Sequence, residues 1–531
     1  MREEYRKIVS GINKNKIVSF DVFDTLLIRG CTNPTDIFYY IETNYAFPGY
    51  AKRRIVAEKK ARKNLKEVTL RDIYEQDEEL VPFLEIEKLT EKENIRLNSE
   101  IYELYQYALK NAKSVIITTD IYFDKQFMID LLYENGVKGF ADIFVSCEYR
   151  ATKKEGELFD ILMSSLEIGK DDLIHIGDNP ISDYQSPQKR SIKSFCIKKC
   201  EDIFLNHYDY RIKNTNTWTG SVFVKLCAIR NRMDYDNYWH KLGFELMGPV
   251  CFGYSSWIKK KIEELNAKDI SVCFVARDGY LLKKTFEYLW GGANETKYVY
   301  APRNVNSAFE KKELSDEEVR EYRQYLESLN LSDTIVIIDS RTQSFSSQKL
   351  FTKFLNTRII GLYYINSVDN PELEYYSYHP DRNNPILSWN MMEYFLSAPT
   401  PSILKVIKGE PVYAESDIVE QQRQKAFHDV EKGVLEFAEW AKKWHVSEDI
   451  PEKVITDWVN NFLMHPCAED KVAFKEVKFA NDALSQNYVN LNPFFEKPKS
   501  IGEYKETLLR KLVLHPRVYG IARQIYRKLR R

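Results

Sequence analysis

An α/β fold built on parallel sheets is what this sequence predicts, and three observations predict it. Short apolar runs ending in polar or acidic residues recur over the first 400 positions, at 17–20, 114–119, 173–176, 271–276 and 334–339. Runs of this length, bounded by turn residues, read as strands buried on both faces. Between them lie stretches with apolar residues at helical spacing, so strand and helix alternate as in a parallel sheet covered by helices. The chain has 531 residues, 44% hydrophobic and 29% charged. That composition is globular, and the length calls for more than one core.

The first strand runs into Ser19-Phe20-Asp21-Val22-Phe23-Asp24-Thr25-Leu26-Leu27. Open α/β sheets bind ligands outside the carboxyl ends of their strands, so Asp21 is expected at a strand tip facing that crevice. A helical insertion is expected over 33–104. Ile37, Phe38 and Ile41 recur at helical spacing there, and 50–65 is basic, with Arg54 and Arg62 on a helix able to meet an anionic substrate. The second strand, 114–119, ends in Thr118-Thr119-Asp120. Alternation lets only one of the two threonines face a ligand. A helix over 124–133 ending at Gly136 and a strand over 141–146 follow. Then come Lys153 and Lys154 ahead of a helix at 156–165, the strand 173–176 running into Gly177-Asp178 and on to Asp183, and a last strand at 194–197. These elements make a first domain of residues 1–205.

A second α/β domain is expected over 230–400. A helical run at 238–264, broken near Gly248-Pro249, precedes strands at 271–276, 297–301, 334–339 and 358–365. Arg277-Asp278-Gly279 and Asp339-Ser340-Arg341-Thr342 fall at strand ends. Arginine forks match phosphate oxygens, which makes Arg277 and Arg341 candidate substrate-binding residues, and a structural ion pair is the competing reading of Arg277-Asp278. Residues 401–531 read as a helical region.

A formal net charge of −1 gives no electrostatic case for nucleic acid. The eight cysteines are scattered without a CxxC pair, which suits reduced thiols rather than a zinc site. The first sixteen residues lack the apolar core of a signal peptide, and no apolar run reaches the roughly 20 residues of a membrane span. A cytoplasmic protein is therefore expected. Residues 508–531 interleave Arg510, Lys511, Arg517, Arg523, Arg527, Lys528, Arg530 and Arg531 with apolar residues. Such a helix suits peripheral contact with the inner face of a membrane, or docking on its own protein.

Asp21, the hydroxyl-ended second strand, Lys153 and the Gly177-Asp178…Asp183 acids, in that order, resemble the four motifs of the haloacid dehalogenase-like (HAD) hydrolase superfamily over residues 15–200. The resemblance implies a Rossmann-like parallel sheet with an inserted helical cap. It also implies a phosphohydrolase acting through an aspartyl-phosphate on Asp21. Mg²⁺ would be held by Asp21, the Phe23 backbone carbonyl, Asp178 and Asp183; Thr119 would bind a phosphate oxygen and Lys153 would balance charge. The sequence departs from the pattern at Phe23, where such phosphatases carry a general acid; Asp24, one residue later, is the candidate substitute. The longer arrangement resembles bacterial HAD-type proteins of surface-polysaccharide gene clusters, which implies a sugar or polyol phosphate substrate. Three rivals stand beside this reading: a second module that transfers glycosyl or glycerol-phosphate units, a non-catalytic phosphate-binding scaffold, and a metal-independent 2-haloacid dehalogenase.

Overall fold

The computed structural model describes residues 3–63, 65–207, 218–266, 269–291, 295–311, 313–342, 344–366, 368–379, 389–480 and 488–490. The fold is α/β, with two parallel sheets. The chain forms two compact units: Met1–Asn206 with Thr215–Arg232, and His207–Asn214 with Met233–Arg531.

The first unit is built around β1 (Ile17–Phe20), whose four residues are all buried. In chain order there follow β2 (Leu27–Arg29), β3 (Ile95–Leu97), β4 (Ser114–Thr119), β5 (Ile143–Val145), β6 (Leu173–Gly177) and β7 (Lys193–Cys196). Five of these make a parallel sheet in the order β5-β4-β1-β6-β7. Burial on both faces explains why these strands are continuous apolar runs. On one face Leu158, Phe159 and Leu162 of the helix Glu157–Ser165 pack on Ile17, Ile116 and Leu173. Each such side chain contributes roughly 1.5–3 kcal/mol. The register sets Phe20 opposite both Ile117 and Ile176, so the carboxyl ends of β4, β1 and β6 finish at one level.

Right after β1 the chain turns into β2, which pairs antiparallel with β3. This pair frames the inserted helices Asp36–Asn44, Tyr50–Ala61, Leu70–Tyr74 and Leu84–Glu93. Three residues are too short a run to mark a strand, so β2 and β3 were invisible to periodicity. The arginines of this basic stretch pair within the insertion. Arg54 is wholly buried and grips Glu87 with two bonds of 2.7 and 2.8 Å. Arg53 pairs with Asp77 and Glu79, and Arg62 with Glu58 and Glu67. These arginines neutralise neighbouring acids instead of facing an anionic substrate.

The second unit holds β8 (Ile270–Val275), β9 (Thr296–Val299), β10 (Thr334–Thr342), β11 (Arg358–Asn366) and β12 (Glu374–His379). They form a parallel sheet in the order β12-β11-β10-β8-β9. Ahead of it, the helical run from Tyr238 widens at Gly243–Met247 and continues as Gly248–Leu265, with Pro249 harmless in the first turn. After the sheet come an antiparallel pair, β13 (Ile403–Ile407) and β14 (Glu410–Tyr413), and the helices Ile418–Lys443, Glu452–Met464 and Ala468–Ala473. Among the described residues no helix is long and apolar enough to cross a membrane. The basic stretch 508–531 lies outside the described residues.

Candidate active site

The common level of β1, β4 and β6 brings distant residues together. Asp21 immediately follows β1 and donates its backbone N–H to the Ile176 carbonyl of β6 at 2.9 Å. Asp178 immediately follows β6, and Asp183 sits in the wide helical turn Pro180–Gln185, whose start is capped by the Asn179 side chain. Asp21, Asp178 and Asp183 are all buried, and each offers a carboxylate oxygen within 4.8 Å of the others. Gly177 makes that convergence possible: a Cβ there would lie 2.4 Å from the Asp183 carboxyl carbon. The Gly-Asp pair is thus a steric requirement for drawing Asp183 against the end of β6.

Lys153, 2% exposed, reaches from the loop before the helix Glu157–Ser165. Its ammonium bonds Asp21 Oδ1, and Asp183 Oδ1 at 2.6 Å. Asp120 orients this loop by accepting from the Lys153 backbone N–H at 2.8 Å. Lys154, its neighbour, is exposed. Thr118 and Thr119 divide as strand alternation requires. Thr118 Oγ1 is 2.7 Å from Ser19 Oγ, whereas the buried Thr119 hydroxyl has no hydrogen-bond partner among the described residues. A buried hydroxyl without a partner is costly unless a ligand completes it.

Sequence reasoning gave no role to several other groups. Thr25 Oγ1 lies 3.3 Å from Asp21 Oδ2 and 3.2 Å from Asp178 Oδ1, bridging the two acids one turn after Asp21. The buried His175 ring packs edge-on to Phe159. It also links Ser19 (Oγ to Nδ1, 2.9 Å) with Asp183 (Nε2 to Oδ1, 3.0 Å). Burial holds the imidazole below its ordinary pKa, so it is neutral near pH 7. A neutral ring donates from only one nitrogen, and the carboxylate can only accept, so the proton is on Nε2 and Ser19 donates to Nδ1.

The carboxylates differ in electrostatics. Burial, reinforced by the charges of Asp183 and Asp178, raises the Asp21 pKa well above the carboxylate range despite Lys153. Burial also raises Asp178, with Lys199 opposing. Asp183 is buried too, yet Lys153 and the His175 hydrogen bond hold it below the ordinary value. Three crowded acids of uneven proton affinity are a donor set suited to a hard divalent cation.

Asp24 has a different place. Its carboxylate accepts from Lys225 at 2.9 Å and Lys199 at 3.2 Å. Although burial opposes its charge, these ammoniums hold it far below the usual carboxylate range. A group so firmly ionised supplies no proton at neutral pH; the geometry makes Asp24 a charge partner of two lysines. Lys199 also bonds Asp178 at 3.0 Å, and Lys225, from the helix Trp218–Asn231, bonds Glu201 at 2.8 Å. Phe23, where an acid was missed, lies under the Arg29 guanidinium, 3.8 Å from the ring centroid, and Arg29 bonds Glu91 of the insertion at 2.7 Å. Arg277 and Arg341 belong to the second unit: Arg277 follows β8, and Arg341 lies within β10, because that strand runs on to Thr342.

No family model matches the chain, and no curated protein matches it. Among solved structures, a 2-haloacid dehalogenase from Pseudomonas syringae pv. Tomato DC3000 is similar at 14% identity and a TM-score of 0.25, over 33% of this chain and 84% of that one. A HAD-family enzyme from Bacteroides thetaiotaomicron, solved as a magnesium complex, is similar at 13% identity and a TM-score of 0.25, over 36% of this chain and 94% of that one.

Proposed function

We propose that the first unit is a HAD-type, Mg²⁺-dependent phosphohydrolase acting on a small phosphorylated metabolite. The observation that carries this reading is the buried trio Asp21, Asp178 and Asp183, with oxygens within 4.8 Å of one another, together with the Thr119 hydroxyl at the end of β4, which lacks a partner among the described residues. Octahedral Mg²⁺ sets its oxygen ligands about 3–4 Å apart, so the trio suits such an ion, and the Phe23 carbonyl is the further ligand this reading carries forward from the sequence. When bound, Mg²⁺ neutralises the phosphate and orients it.

The residues then have defined tasks. Asp21 attacks phosphorus: its oxygen–phosphorus bond forms as the ester oxygen–phosphorus bond breaks, leaving an aspartyl-phosphate. Thr119 donates to a non-bridging oxygen, and Lys153 compensates the negative charge gathered between nucleophile and phosphate. Thr25 and the His175–Ser19 pair hold the acids in place. Water then attacks the phosphorus, the bond to Asp21 breaks, and phosphate and a proton leave. Neither Phe23 nor the ionised Asp24 protonates the departing alcohol, whose oxygen takes its proton from water; the general acid help forgone is worth about 10²–10⁴-fold, so slow turnover is expected. A sugar or polyol phosphate from surface-glycan assembly, handled in the cytoplasm, is the substrate class this reading carries forward from the sequence.

The test is phosphate release from p-nitrophenyl phosphate and a panel of sugar phosphates, with and without Mg²⁺. Release that needs Mg²⁺ and vanishes in Asp21→Asn supports the proposal. Release unchanged in Asp21→Asn refutes it, and metal-independent halide release from 2-chloropropionate would favour the dehalogenase reading that Phe23 keeps in view.

A further inference from the structure

The second unit has a largely covered cation, Arg277, with a side chain 14% exposed, that the chemistry of the first does not use. The order β12-β11-β10-β8-β9 sends the chain from β8 to one side and back to the other. The crevice of such a sheet lies outside the carboxyl ends of the strands where the order reverses, here β8 and β10. Arg277 and Asp278 follow β8, and the twelve-residue helix Gly279–Trp290 starts immediately after them.

Arg277 and Asp278 do not pair with each other. Asp278 accepts from the Ser340 and Ser397 hydroxyls, each at 2.6 Å. Arg277 Nη1 donates to Ser402 Oγ at 2.6 Å, and Nη2 stands 3.8 Å from Glu420, beyond hydrogen-bonding distance. Nε is buried with no hydrogen-bond partner among the described residues. Glu420 is committed elsewhere: Arg423, itself buried, holds it at 2.6 Å and also donates to the carbonyls of Ser397 and Ala398. Burial, and then the charge of Arg423, lower the Arg277 pKa. The guanidinium therefore keeps one edge, Nε with Nη2, without a close acceptor in a place hostile to its charge.

A second donor stands nearby. Tyr298 of β9, one strand from β8, has a buried hydroxyl without a hydrogen-bond partner among the described residues; burial, and then the charge of Asp278, raise its pKa, and the charge of Arg277 opposes them. Its ring packs edge-on against Tyr280, in the first turn of the helix, and against Tyr300, both with centroids 5.9 Å away.

We propose that this corner of the second unit binds the phosphate group of a small phosphorylated ligand, on the Nε–Nη2 edge of Arg277 and the hydroxyl of Tyr298. An arginine edge offers two parallel donors to two oxygens of one phosphate, and the start of a helix favours an anion beside it. Tyrosine rings at the rim suit a sugar or polyol attached to that phosphate. The site stands independently of the hydrolase reading of the first unit.

Hydrogen–deuterium exchange of the full chain, with and without inorganic phosphate or pyrophosphate in metal-free buffer, tests this because it reports each unit separately. Slowed exchange is expected in peptides covering 276–285 and 296–300. Concentrations for half protection should rise about tenfold or more in Arg277→Gln and several-fold in Tyr298→Phe. Tyr298→Phe removes only an unpartnered hydroxyl, so it reads out binding even if Arg277→Gln disturbs the loop. Protection confined to peptides around Asp21 and Lys153, or protection at 276–285 that Tyr298→Phe and a folded Arg277→Gln leave unchanged, overturns the proposal. Equal protection by acetate marks a general carboxylate site and overturns the assignment to phosphate.

Discussion

Replacing Lys225 with methionine keeps the length and most of the volume of the side chain but removes the ammonium. Lys225 is 1% exposed and bonds Asp24 at 2.9 Å and Glu201 at 2.8 Å. Asp24 retains Lys199 at 3.2 Å, so the acid left stranded is Glu201. Breaking a buried ion pair by removing one partner costs about 3–5 kcal/mol. A stranded carboxylate can also escape by taking up a proton. At pH 7 that costs roughly 1.4 kcal/mol for each pH unit above the ordinary glutamate value of about 4.3, a ceiling near 3.7 kcal/mol. The sign follows: the variant's folded state holds a proton that its unfolded state lacks, so it loses stability as pH rises. The expected deficit against wild type is about 3–4 kcal/mol at pH 7 and about 1 kcal/mol at pH 5. Lys225→Met with Glu201→Gln should recover most of it. Urea unfolding followed by hydrogen exchange at β1 peptides isolates the first unit. A deficit below about 1 kcal/mol at pH 7, or one that does not shrink toward pH 5, refutes the reasoning.

Thr119→Val should leave urea stability within about 0.5 kcal/mol of wild type, because the hydroxyl has no partner to lose, while vanadate binding weakens roughly tenfold; unchanged vanadate affinity contradicts the assigned place of Thr119. His175→Phe removes the links to Ser19 and Asp183, and should lower Mg²⁺ affinity about 10–100-fold in a titration without abolishing the fold. Gly177→Ala must push Asp183 aside, and a comparable loss of Mg²⁺ binding is expected; normal binding would show that the close approach is dispensable. Asp24 is held ionised in the folded state, so its ion pairs contribute fully above the unfolded value of about 3.9 and fade as acid titrates through the lower folded one. The stability gap between wild type and Asp24→Asn should therefore be level from pH 5 to 8 and close below about pH 4 in urea melts.

What could be read in advance was whatever a strand carries on its own tip. Asp21, Asp178 and the end of β4 could be placed because an apolar run announces the strand and the residue after it inherits the position. Asp183 followed from its short spacing to such an end, whereas Lys153 was preferred to Lys154 only narrowly, for its three-residue lead on Gly156, and took its role from the resemblance. Alternation says that Thr118 and Thr119 diverge but not which way each points, so the choice of Thr119 rested on the family resemblance and on its place directly before Asp120. Lys225 could not have been found: its partner Asp24 is 201 positions away, and a lysine in an apolar helix looks like any other. The Arg29–Glu91 bond was hidden similarly, since β2 is too short to announce itself. The arginines of 50–65 looked available only because their acids arrive from other helices of the insertion.

The helix Trp218–Asn231 has a consequence for where this module ends. The sheet is complete at Cys196, so a cut in the two hundreds looks harmless on topology. Yet the cation that satisfies Asp24 and Glu201 enters from downstream, and Arg232, just beyond that helix, ties back to Glu4 and Glu100. A fragment ending before residue 218 would leave Glu201 as an unanswered negative charge in the interior of the first unit and Asp24 with Lys199 alone, and would report on its own truncation rather than on the intact module.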